Sequence, residues 1–305
     1  MTMEKEFSSD ILQPIPLEEW SSLQKLLQVD WPMYSNYYYW MENSIRWKTR
    51  DPGMDLEVYA PQGTYQNDAT FVGISKHSMY NIVVFTRESS GQRLYNAIVE
   101  TNRINWNEGV TFSGIHECVQ SFVFSALATL KTTRGIEIHE EKPGCFYFKT
   151  ASDSANMKIR VPDECYLGDL NSSHVPTIHK IYPHIDAEQP ENSMAYLETT
   201  IKLNKGFGLF LKKGDILVSW AIHSEWYGLG MVQTQERYKK RGYAKVVVLA
   251  LAKWLGERGI SPILSIVVGN TISENMFSSL NWKPNHLATW ITMKRIFKTS
   301  PEPAS

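Results

Sequence analysis

The sequence is short of the features that mark several large classes of protein. Of its 305 residues only three are cysteine, Cys118, Cys145 and Cys165. An odd, widely spaced set makes neither a disulfide framework nor a metal-ligand pattern, so reduced thiols in a cytosolic protein are expected, with no metal. Charge of neither sign dominates. The 31 Lys and Arg against 32 Asp and Glu leave a formal net charge of -1, with no overall bias toward nucleic acid or membrane. Long apolar runs are missing: the longest, Val246 to Ala252, is far too short to span a bilayer. The opening stretch Met1 to Phe7 is acidic and lacks the apolar segment of a signal peptide. The end, Thr299 to Ser305, reads as a disordered tail. Phosphate-binding fingerprints are absent as well. There is no G-x-x-x-x-G-K-[ST] and no G-x-G-x-x-G after a strand, and Gly206-Phe-Gly208 is only a strand-edge pair.

What is present is ample apolar material. Hydrophobic residues make up 43% and aromatic residues 12%, enough to bury cores, and the length suits about two domains. The small, polar stretch Thr150 to Met157 is the expected break between them. Before it, Glu18 to Val29 has helical spacing, Asn81 to Thr86 and Leu94 to Glu100 read as strands, and Ser113 is placed to cap a helix carrying Val119, Phe122, Val123, Ala126, Leu127 and Leu130. Cys145 to Phe148 reads as a strand, and the order suggests a mixed sheet flanked by helices. The aromatic cluster Tyr34 to Trp40 reads as core and helix surface. After the break the pattern predicts a strand at 157–161, helix over 166–183, and strands at 208–212, 215–222 and 229–233. A helix at 244–258 ended by Gly259, a strand at 262–268, a helix at 271–279 and a strand at 289–295 follow.

One stretch stands out. Arg237, Lys239, Lys240 and Arg241 crowd four positive charges into five residues, then Gly242 leads straight into the apolar helix. A strand, a basic turn with glycine and a helix N-terminus form an anion site: the first-turn N–H groups are unpaired, the macrodipole is positive there, and glycine lets a ligand come close. A pyrophosphate suits all three. Taken alone, such a charge run is more often a solvated face.

The context of that loop resembles the acyl-CoA motif of the GNAT acyltransferase superfamily. Thr234 followed by Lys239-x-x-Gly242-x-Ala244 is similar to its Arg/Gln-x-x-Gly-x-Gly/Ala turn. Asn270, Ser273, Met276, Phe277, Leu280, Asn281 and Trp282 are similar in spacing to its second motif. Trp220, Thr234 ahead of Tyr238, and Ile104 to Trp106 resemble landmarks of the glycine N-acyltransferase-like family. The likeness covers about 158–295 well and the first half loosely. It implies an α/β (α+β) chain of two tandem GNAT-like domains. Each would be a mixed, mostly antiparallel sheet flanked by helices: 1–153, degenerate, and 158–298, binding acyl-CoA.

It implies direct transfer from acetyl-CoA or another acyl-CoA to a small amine such as glycine. Met231, Val232 and Thr234 would pair with the pantetheine arm. Lys239, Lys240, Arg241, Gly242, Tyr243 and Ala244 would hold the pyrophosphate, with Asn270 and Phe277 near the cofactor. Three departures bear on this. Lys239 replaces the usual Arg or Gln, Phe277 replaces a Tyr able to protonate the thiolate, and the family's base Glu falls at Gly228. Glu225 and His223 are the nearby groups able to serve as base, beside bland readings as a turn residue and a sheet-face residue. The alternatives are an inactive CoA-binding or scaffold protein, an acetyltransferase of protein amines, and a nucleic-acid patch at Arg237 to Arg241, which the near-neutral charge disfavours. A cytoplasmic location is expected, a mitochondrial one being admitted by the resemblance alone.

Overall fold

The computed structural model describes residues 10–183, 185 and 189–295; the segments at 1–9 and 296–305, including the expected tail, lie outside the described residues. The first half runs β1 (Leu12–Pro14), α1 (Trp20–Leu26), α2 (Ser35–Arg50), β2 (Leu56–Pro61), β3 (Phe71–Ser75), β4 (Asn81–Phe85), α3 (Gln92–Glu100), β5 (Val110–His116), α4 (Glu117–Arg134) and β6 (Ile136–Phe148). A short α5 (Ala151–Ala155) bridges to β7 (Cys165–Asp169), α6 (Val175–His179), α7 (Pro190–Leu203), β8 (Gly206–Leu211), β9 (Ile216–His223), β10 (Leu229–Thr234), α8 (Tyr243–Gly256), β11 (Ile263–Val267), α9 (Thr271–Ser278) and β12 (Lys283–Arg295). Among the described residues no helix is long and apolar enough to cross a membrane.

The strands form two sheets. One has eight strands in the order β1-β2-β3-β4-β5-β12-β6-β11, the other four in the order β10-β9-β8-β7. Every pairing is antiparallel except β4 with β5, joined in parallel at Asn81↔Thr111 and Ile82↔Phe112. The last strand among the described residues, β12, lies between two strands of the first half, β5 and β6. In exchange β6 lies against β11 of the second half. The eight-stranded sheet is therefore built from both halves. The aromatic stretch beginning at Tyr34 forms α2, which buries Tyr37, Tyr39 and Trp40 in the first core, as expected.

Four expected elements are corrected. Leu94 to Glu100 is the helix α3, not a strand: Leu94, Ala97 and Ile98 recur at helical spacing and are buried, while Gly91, at φ 63°, turns the chain into the first turn. Ser113 does not cap a helix. It lies inside β5, a strand buried on both faces, and its hydroxyl donates to Asn81 Oδ1 at 3.0 Å, while α4 starts four residues on, where the His116 ring accepts the Cys118 N–H. Residues 157–161 pair with no strand. Of 166–183, the start is β7, paired residue for residue with β8, and only Val175–His179 is α-helix.

α6 and α7 cover one face of the four-stranded sheet, packing Val175, Ile178, Leu197 and Ile201 on Leu217, Trp220 and Ile222. α8 covers the other, packing Val247, Leu251 and Leu255 on Val218, Ala221 and Leu229. All three consecutive valines of α8 are buried, so packing overrides their weak helix preference.

Candidate active site

β10 and β11 are neighbours in space yet belong to different sheets. β10 is the last strand of one and β11 the last of the other, so the backbone edge each turns to the gap has no ladder partner. The two strands come together near their starts. A Cβ on Gly228 would overlap the carbonyl oxygen of Ile263, which places the apex of a wedge there and opens it toward Thr234 and Val267. Along β10 the register against β9 slips between Gly230 and Gln233, and Met231 takes φ 53°. This bulge adds one residue to β10 and twists it away from the ladder. Met231 packs against the core beneath α6 and α7 and Val232 against the core beneath α8. The Thr234 hydroxyl is 2.8 Å from that of Ser219, which also donates to the Gln233 carbonyl.

At the open end the chain makes a 3-10 turn, Glu236–Tyr238, then passes Lys240 at φ 62° and Gly242 at φ 80° into α8. No side chain caps that helix, and nothing lies within 4 Å of where a Gly242 Cβ would be. The first turn thus opens to space beside four cations, with the Lys245 N–H turned back to the Gly242 carbonyl at 3.1 Å, an arrangement that suits a phosphate. Lys239 is held 2.6 Å from Glu236, and the guanidinium groups of Arg237 and Arg241 lie 4.7 and 5.6 Å from the Tyr238 ring. Beside Gly242 a cavity of about 510 Å³ is lined by Arg241, Lys245, Lys158 and Arg160 among others. Lys158 and Arg160, from the segment leading to β7, carry no motif and were not legible in the sequence.

The remaining expected site residues divide. Ala244 lies in the first turn of α8. Tyr243 is buried, its hydroxyl donating at 2.8 Å to Glu164, which lines the same cavity as Arg241 and Gly242. Asn270 caps α9, its side chain accepting the Ser273 N–H, and Phe277 is buried edge-on against Trp282. His223 is 1% exposed, its ring 4.4 Å from Tyr227 and 6.0 Å from Trp254; burial pushes its pKa down to about 3.

Glu225 lies in the tight turn 224–228, closed by Ser224 N–H to Gly228 O and Tyr227 N–H to Ser224 O, both 2.9 Å. The residue is half-buried, but its carboxyl is enclosed, and burial pushes its pKa up to about 7. The nearby Tyr196 side chain, from α7, acts in the opposite sense. In the same core Trp220, opposite Gln233 on the β10 ladder, keeps its buried indole N–H without a protein partner. The residue after Glu225, Trp226, packs in the first core, 5.7 Å from Phe146 and 6.3 Å from Trp290 of β12.

The first half repeats the same plan and fills it. β4, a turn to Gly91, α3 and β5 follow one another as β10, the Gly242 turn, α8 and β11 do. Between the ends of β4 and β5 sit Tyr34 and Tyr37, 4.9 and 4.7 Å from Phe85, and the Tyr37 hydroxyl accepts the His116 N–H at 2.9 Å. At the helix start the Glu88 carboxylate takes the Arg93 N–H at 2.8 Å, and the Phe122 ring covers Gly91. An anion and a pantetheine chain have no room there.

Both halves of the chain are similar to known families or folds. Residues 206–291 match the family described as FR47-like protein, and residues 11–126 match a domain of unknown function, DUF5645. No curated protein matches the chain. Among solved structures, a Drosophila protein is 19% identical with a TM-score of 0.84, over 93% of this chain and 98% of that one. A tandem GNAT protein from the clavulanic acid biosynthesis pathway is 12% identical with a TM-score of 0.53, over 92% of this chain and 98% of that one. The fold of the chain is the tandem GNAT fold, with its FR47-like part at the C-terminal side.

Proposed function

With that fold as premise, we propose that the protein is an acyl-CoA-dependent N-acyltransferase acting on a small primary amine such as glycine or another amino acid. The observation that carries the reading is the open wedge between β10 and β11 with the uncapped, glycine-led N-terminus of α8 at its mouth. The unpaired edge of β10 around Met231 and Val232 would pair with the pantetheine amides, and the Lys239 to Ala244 turn would hold the pyrophosphate. A backbone N–H at the bulge would polarise the thioester carbonyl.

Glu225 is the base in this reading. Its carboxyl, poised near 7, takes a proton from the amine as the nitrogen attacks the thioester carbon. The new C–N bond forms, the C–S bond breaks, and CoA leaves as the thiolate, to be protonated by solvent since Phe277 has no proton to give. His223 is less suited: its ring is sealed in the core between the halves. Use of the amine class rests on the fold and on Glu225; glycine rests on the family resemblance, as does a cytoplasmic location.

The test is calorimetric titration of the purified chain with acetyl-CoA and with CoA, beside a Gly242→Trp variant. Binding at micromolar level by the wild type and loss in the variant is the expected result, followed by product formation on a panel of amines including glycine. Absence of binding by the wild type would overturn the reading. Binding without turnover on any amine or peptide would leave a CoA-binding protein, not an enzyme.

A further inference from the structure

The turn that carries Glu225 is rooted in the other half of the molecule. Residues 224–228 join β9 to β10, yet the two aromatic residues after Glu225 lie in the first core. Trp226 fills the space beside Gly114 of β5, where a Cβ would overlap its ring. Tyr227 stacks on Tyr39 of α2 at 6.0 Å, with the Arg46 guanidinium 5.2 Å from its ring. It takes φ 57°, in the left-handed region that a tyrosine seldom enters. Such a backbone persists only where its surroundings impose it.

One side chain ties this turn to α2. Asn204, just after α7, turns its Nδ2 to the backbone carbonyls of His223 and Ser224, at 3.0 and 3.2 Å, and to Asn43 Oδ1 at 2.9 Å. Its Oδ1 accepts the indole N–H of Trp47 at 2.9 Å. An indole N–H can only donate and a carbonyl can only accept, so the amide has one orientation here. Asn43 and Trp47 are both buried, and with Arg46 and Arg50 they follow helical spacing along one face of α2. Arg50 reaches the carbonyl of Leu203, next to Asn204.

We propose that Asn204 is the positioning residue for Glu225: held by Asn43 and Trp47 of the first half, it fixes the two carbonyls that precede Glu225 and so keeps that carboxyl in place in the turn that ends at the apex of the wedge. The inference rests on the acyltransferase reading above. It gives the first half, whose own wedge is filled, a part in the chemistry of the second. Trp226 and Tyr227 anchor the far side of the turn by packing, and Asn204 anchors the near side by hydrogen bonds. Glu225 sits between the two anchors, and a base so held meets the amine in one geometry.

The experiment compares wild type, Asn204→Leu, Trp47→Phe and the double variant. Asn204→Leu is neutral and close in size, and removes all four hydrogen bonds. Trp47→Phe removes only the indole N–H bond and keeps an aromatic ring in the first core. kcat and KM are measured with the best amine of the panel, and Glu225 is titrated by NMR with carboxyl-labelled glutamate, which needs no turnover. The expected result is a fall in kcat of about ten- to a hundredfold in Asn204→Leu and a smaller one in Trp47→Phe, with KM for acetyl-CoA unchanged because the pyrophosphate turn is untouched. The Glu225 titration, at about 7 in the wild type, should move toward the ordinary carboxylate range as the loosened turn admits water. Trp47→Phe should lower kcat no further in the Asn204→Leu background, because it acts through that amide. Should Asn204→Leu fail to fold, Trp47→Phe decides by kcat and the titration. A lower melting temperature with kcat and the titration both unmoved would mean that Asn204 only joins the halves, and would overturn the proposal. A titration that moves in a protein whose wild type turns over no amine would leave the clamp standing and overturn the acyltransferase reading instead.

Discussion

At the scale of single residues, Gly228, the position that the acyltransferase resemblance would give to a base, is closed in this chain. Gly228 is the point of contact between β10 and β11, and even one methyl group there meets the backbone of Ile263. Backbone cannot swing aside as a side chain can. Gly228→Ala is therefore expected to cost about 1–3 kcal/mol, as overpacking does, and Gly228→Glu more, with no gain of activity; chemical unfolding and a turnover assay check both. Glu225 makes a second prediction. Its folded pKa, about 7, lies above the ordinary 4.5. Below pH 4.5 the carboxyl is protonated in folded and unfolded chain alike, and its effect on stability is nil. As the pH rises to 7 the unfolded chain ionises first, and stability falls by on the order of 3 kcal/mol. Glu225→Gln should remove that fall, so the variant should unfold later than the wild type in urea at pH 8 and not at pH 4, while losing about 10²- to 10⁴-fold in activity. Equal unfolding midpoints at pH 8 would show that the carboxyl is not buried as described.

At the scale of elements, α8 does two jobs whose requirements differ at its two ends. Its start must stay bare, and Gly242 at φ 80° with open space around it keeps it so. Its end must be thin, because α5 crosses there. A Cβ on Gly256 would overlap backbone atoms of Ala151 and Ala155. Gly256→Ala should thus lower the melting temperature by several degrees, since the usual helix preference for alanine, about 1 kcal/mol, is outweighed by separating two packed helices. Gly242→Ala should change the melting temperature less and the affinity for CoA more, since its strain falls on the turn itself. Were the order reversed, the account of α8 would be wrong.

At the scale of the whole molecule, the two halves share strands and divide labour. Only the second half keeps its wedge open; in the first, Tyr34, Tyr37, Glu88 and Phe122 occupy the equivalent places. Calorimetry should therefore give one acyl-CoA per chain, and a stoichiometry of two would contradict the filled first half. Because β12 lies between β5 and β6, removal of Lys283–Arg295 takes a central strand from the large sheet and strips β5 and β6 of a partner at once. A chain ending before Lys283 should show no cooperative unfolding transition in either half, and neither half expressed alone should fold.

By itself the sequence determined the local features whose cause is local. The basic turn, Gly242, the helix behind it and the strands that flank it follow from charge, glycine and periodicity within a few residues of each other, and all are found near their expected bounds. The same holds for the buried aromatic stretch from Tyr34 that becomes α2. Other local patterns misled where burial, not periodicity, decides. The apolar run Val110–His116 is buried on both faces and carries no alternation, so its serine looked like a helix cap. Leu94 to Glu100 has residues that suit a strand, yet its buried positions fall at helical spacing. Only the tertiary structure decided the placing of β12 between β5 and β6, the closing of the first half, the enclosure of Glu225 and the burial of His223. Each depends on groups that meet across tens to more than a hundred residues. What raises a carboxyl's pKa or fills a wedge is the set of neighbours that packing brings, and neighbours so distant in the chain leave no spacing to read.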